Sequence, residues 1–79
     1  MLQVNCLVVQ KIKDKVDGLT LEDVIYHVNR VHALIMDVTT DAKDEERAKG
    51  LLLKYLSSLP EVTGRFLSIK VTDEKGNII

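Results

Sequence analysis

The stretch TLEDVIYHVNRVHALIMDV, residues 20–38, decides how the chain is read. Leu21, Val24, Ile25, Val28, Val31, Leu34, Ile35 and Val38 recur at steps of three and four, which gathers side chains onto one side of an α-helix. Thr20 offers a capping hydroxyl, and Asp23 stands three places on, as in a capping box. The spacing predicts a helix from Thr20 to Val38 with an oily side that must be covered.

What can cover it is sought on either side. Beyond the polar break Thr39-Thr40-Asp41, a second helical pattern runs from Ala42 to about Leu59, with Ala48, Leu51, Leu52, Tyr55, Leu56 and Leu59 as its apolar stripe. Asp44, Glu45 and Glu46 at its start and Lys54 towards its end suit the helix dipole, and Pro60 stops it. Two helices joined by so short a break are expected to pack as an antiparallel hairpin.

The period changes at both ends of the chain. Leu67, Ile69 and Val71 alternate with Ser68, Lys70 and Thr72, and the turn residues 73–77 lead back to Ile78 and Ile79, so a β-hairpin is expected there. Two strands are marginal alone, and across residues 2–12 Leu2, Val4, Cys6, Val8 and Ile12 occupy even positions while Gln3, Asn5 and Lys11 occupy odd ones, as in a third strand. The same segment also carries a helical stripe of Leu2, Val9, Ile12 and Val16, closed by a helix stop at Asp17-Gly18-Leu19. The preferred expectation is an α+β domain, a small antiparallel sheet in the order β-α-α-β-β packed on a helical hairpin. The alternative is an all-α three-helix domain with a C-terminal β-hairpin.

Size and charge bound the function. At 79 residues one domain with a small core is expected, near the size where a partner helps stability. Eleven basic residues against twelve acidic ones give no field that would draw the whole chain to nucleic acid or an anionic membrane. A single cysteine excludes an internal disulfide. The opening residues do not resemble a signal peptide and no run is long enough to span a bilayer, so a cytoplasmic protein is expected.

Motifs for chemistry are missing. His27 and His32 are five residues apart and cannot form the i, i+4 pair of a helical zinc site, and no Cys-x-x-Cys is present, so no metal and no cofactor are expected. Asp37, Asp41, Asp44 and Glu45 lack the spacing of a calcium loop and are explained by capping. Cys6 falls on the apolar side of its segment, where a thiol behaves as a small hydrophobe. Ser57-Ser58 has no nucleophile-elbow glycines, and the glycines at 18, 50, 64 and 76 form no phosphate loop.

Association is the remaining function class. His32 falls inside the apolar arc of the expected first helix and Met36 at its margin; Leu53 lies on the polar side of the second helix, and Ile78 and Ile79 form a stub strand. These five are the candidate contact residues of a non-enzymatic interaction or adaptor domain, expected to act as a homodimer or on a protein partner. His32 would make the contact sensitive to pH. A nucleic-acid role is the alternative: Lys11, Lys13 and Lys15 would share one side of an extended strand, but no aromatic pair accompanies them and Asp14 and Asp17 dilute the stripe. A small enzyme whose site is completed across a dimer interface is the third expectation.

Overall fold

The structure, a computed structural model, describes residues 1–73, 75, 77 and 78. Its elements are β1 (Leu2–Cys6), α1 (Val9–Val16), β2 (Thr20–Leu21), β3 (Val24–His32), β4 (Ile35–Thr40), α2 (Glu45–Ser57) and β5 (Leu67–Val71). They build a curled five-stranded sheet in the order β2-β3-β4-β1-β5, antiparallel throughout.

The expected helical hairpin is therefore corrected. Residues 20–38 are strands joined by two-residue turns, Leu21 pairing with Val24 and His32 with Ile35, and the element order is β-α-β-β-β-α-β. The all-helical alternative falls with it. The misleading helical period has a local cause. Val24, Tyr26 and Val28 point to the core at the strand period of two; then the register shifts between Val28 and Arg30, leaving Asn29 as the extra residue of a bulge, and Val31 takes the next inward place. The bulge thus spaces the inward Val24, Val28 and Val31 by four and three, and Ile35 on the opposite face and Val38 in the core continue the same spacing although they do not share a side of the sheet. The turns add to the disguise, because their first central residues, Glu22 (φ 55°) and Ala33 (φ 54°), occupy the left-handed region without being glycine. Six of the residues in this stretch are valine or isoleucine, which suits a pleated sheet better than a helix.

At the N-terminus both readings are realised in succession. Leu2, Val4 and Cys6 are buried along β1, and Val9, Ile12 and Val16 are buried along α1 at helical spacing. α1 ends at Asp17, followed by Gly18 at φ +80°. α2 begins at Asp44, whose Oδ1 accepts the amides of Glu46 (3.1 Å) and Arg47 (3.3 Å), and it buries Ala48, Leu52 and Leu56. These side chains join Leu2, Val4, Cys6, Tyr26, Met36, Val38, Val62 and Ile69 in one core, so both helices cover the same face of the sheet. The Tyr26 hydroxyl crosses that core and donates to the Ala48 carbonyl at 2.7 Å. Burial pushes this phenol up to about 12. Arg47 fastens the β2–β3 turn to α2 through Glu22 (3.0 Å) and Asp23 (2.9 Å), and the guanidinium holds the Asp23 carboxyl below its usual range.

Candidate functional site

With both helices on one side, the other face of the sheet is left open. The ladder sets its side chains in rows: Arg30, Asp37, Gln3 and Lys70 run across four strands, and His32, Ile35, Asn5 and Ser68 run beside them. Even on β1, flanked by β4 and β5, Gln3 and Asn5 keep partial exposure, whereas Leu2, Val4 and Cys6 on the other face have none. Asp37 is the acid in these two rows, against Arg30, Lys70 and His32, so the face leans basic.

The two ends of this face differ in character. At one end the Cys6 amide donates to the Leu34 carbonyl at 3.0 Å, and Cys6 stands opposite Leu67. Leu7, Leu34 and Phe66 therefore leave three neighbouring strands together, and they are 56%, 44% and 60% exposed. Half-buried Ile35 continues the apolar surface onto the open face. At the other end is a polar cleft of about 440 Å³, where Asn29, Thr39, Thr40, Glu45, Thr72 and Asp73 meet Met1. Its polar groups largely satisfy one another. Glu45 takes the Met1 ammonium, the Thr39 hydroxyl lies 3.3 Å from Asn29 Oδ1, and the Thr72 hydroxyl donates to the Met1 carbonyl at 3.3 Å.

The candidate contact residues scatter. His32 is exposed at the end of β3, on the open face beside Ile35, and not within an apolar helical arc. Met36 is corrected outright: it is fully buried in β4 and offers no surface. Leu53 is 36% exposed on α2, and Ile78 is 62% exposed beside Thr72. Ile79 lies outside the described residues. The lysines are rearranged too, since α1 is a helix: Lys11 and Lys15 are exposed one turn apart, Lys13 is half-buried elsewhere on the helix, and Lys15 pairs with Glu61 at 2.9 Å. They make no stripe. At the sheet edge His27 Nδ1 and Asp17 Oδ1 lie 3.9 Å apart, both exposed.

The residues that sequence reading missed are Leu7, Leu34 and Phe66. Each stands just outside a strand end, and only the strand register unites them. Among the described residues no three His, Cys, Asp or Glu side chains gather as a metal site, and no helix is long and apolar enough to cross a membrane. Comparison with protein-family models, with curated proteins and with solved structures found no match.

Proposed function

We propose that this chain is a non-catalytic protein-interaction domain that receives an apolar segment of another protein, flanked by acidic residues, at the Leu7, Leu34 and Phe66 end of its open sheet face. The observation that carries this reading is the placement of three exposed apolar residues, Leu34, Leu7 and Phe66, just outside neighbouring ends of β4, β1 and β5. Single surface leucines are ordinary, but a contiguous group beside half-buried Ile35 has a cost in water that a partner would relieve. The aromatic ring of Phe66 is the natural anchor, because buried aromatics carry much of the free energy of protein contacts. The choice of an acid-flanked segment follows from the surroundings: Arg65 adjoins Phe66, while His32 and Arg30 lie on the strand that leads to the turn beside Leu34.

The test compares proteins retained from the native source by the immobilised wild type and by Leu7→Ser/Phe66→Ser. The reading expects a protein that the wild type holds, that added salt loosens, and that the double variant loses while keeping its far-ultraviolet circular dichroism. Retention unaffected by the two substitutions would overturn it.

A further inference from the structure

β5 is an edge of the sheet, and the two edges are built differently. On the far side β2 has only two residues, the Asp17 carboxylate takes the Val28 amide at 3.2 Å, and the Asn29 bulge breaks the line of β3; such features hinder the addition of a further strand. β5 keeps one register with β1 over its whole length. Just past its end the Thr72 amide donates to the Met1 carbonyl at 2.8 Å, which fixes the phase of the ladder. Facing groups alternate along an antiparallel pair, so Lys70 and Ser68 also turn their main chain towards β1, while Leu67 and Ile69 turn theirs outwards. The described part of the C-terminal tail meets this edge beyond those two residues, where Ile78 bridges Thr72. Outward main chain therefore begins directly after Phe66 and runs to where the tail takes over.

We propose that the partner's acid-flanked segment binds in extended form, adding a strand to the outer edge of β5 at Leu67 and Ile69. This rests on the reading that Phe66 helps to seat that segment, and it states how the segment is held. The first support is continuity. The edge runs on from the exposed ring of Phe66, so a chain that covers the ring and follows β5 reaches the main-chain groups of Leu67 and Ile69 at once. The second is charge. Exposed Arg65 and Lys70 bracket these residues, neither stands in an ion pair among the described residues, and β5 carries no acid. A lysine beside an open edge discourages uncharged strands, whereas a strand with a carboxylate next to Lys70 gains a cross-strand pair. Main-chain bonds then supply affinity and the acids supply selection, as is general when a peptide joins a sheet. The added strand is short: it spans Leu67 to Ile69, with one acid towards Arg65 and the other towards Lys70, and it leaves Ile78 in place on Thr72.

The test uses a synthetic peptide, acetyl-Asp-Glu-Val-Phe-Val-Ile-Val-Glu-Asp-amide, and two copies of it N-methylated at alternate residues, one copy in each phase. Binding to the full chain is followed by calorimetry and by amide exchange. The parent peptide is expected to protect the Leu67 and Ile69 amides and to leave those of Ser68 and Lys70, already turned to β1, as they were. One N-methylated copy is expected to bind at least about tenfold more weakly, because the amides it lacks would face β5, and the other to stay within about twofold of the parent. A segment held by its side chains alone would not distinguish the two phases. No binding of the parent peptide, equal binding of the two methylated copies, or protection that misses Leu67 and Ile69 overturns strand addition. The seat at the apolar end has a separate control: it fails if Leu7→Ser/Phe66→Ser binds the parent peptide as tightly as the wild type, whatever the phases show.

Discussion

Tyr26 shows how much one side chain can hold together. Its ring fills the core beneath β3, and its hydroxyl, fully shielded, reaches the main chain of α2 at Ala48. Tyr26→Phe keeps the ring and loses a buried hydrogen bond, so urea unfolding is expected to show a loss of about 1 kcal/mol. The phenol also sets an alkaline limit. An unfolded tyrosine releases its proton near 10.0, whereas in the fold burial delays release to about 12. Stability from this group is complete below 10.0 and declines as pH rises through that window; Tyr26→Phe is expected to flatten the decline. Asp23 works at the acid end with the opposite sign. Its carboxyl is held low by Arg47, so its contribution is present above the ordinary aspartate range and is lost as pH falls through the depressed value. A carboxyl titration followed by nuclear magnetic resonance should find Asp23 moved upwards in Arg47→Gln, and an unchanged titration would mean that the clamp on the turn is absent in solution.

At the level of elements, the bulge in β3 is the feature with the most leverage. Deleting Asn29 would join Val28 directly to Arg30, restore strict alternation and keep Val24, Tyr26, Val28 and Val31 all facing the core. The deletion is expected to fold, with circular dichroism close to the wild type and a straighter, stickier edge, whereas deleting Val31 should unfold the chain by removing a core-packed side chain and putting the end of the strand out of phase. The same feature explains what could be read from sequence. α2 was legible because its stripe, its Asp44 cap and the stop at Pro60 agree, and β5 because Leu67, Ile69 and Val71 alternate without interruption. Residues 20–38 were not legible, because neither turn has the glycine or asparagine that marks a hairpin and the bulge replaces the strand period by a helical one. β1 and α1 were each visible but were treated as rivals, when a strand ending at Cys6 leaves room for both.

At the scale of the whole molecule, the sheet separates one covered face from one open face, and that separation places the candidate surfaces. Leu53 sits on the exposed side of α2. Leu53→Glu is therefore expected to change folding stability by no more than about 0.5 kcal/mol, as is usual for surface substitutions, and urea unfolding would detect a larger effect. Little of the candidate site could be seen in the sequence. Leu7, Leu34 and Phe66 lie far apart along the chain, Leu34 was counted in the helical stripe of residues 20–38 and the other two in no pattern, so only the register of β4, β1 and β5 brings them to one end of the sheet. Of the expected return strand, Ile78 forms a single isolated bridge with Thr72, just past the end of β5, and Ile79 lies outside the described residues.

The place of β1 between β4 and β5 bears on how the chain acquires its structure. Leu2 finds Val38 on one side and Val71 on the other, whereas β2, β3 and β4 join through two-residue turns. Closing the distant pairs costs far more chain entropy than zipping the local ones, so the β2–β4 meander should nucleate and β1 should dock late, between an early neighbour and a later one. Substitutions at Val28 or Val38 are then expected to slow refolding, while Val4→Ala mainly quickens unfolding.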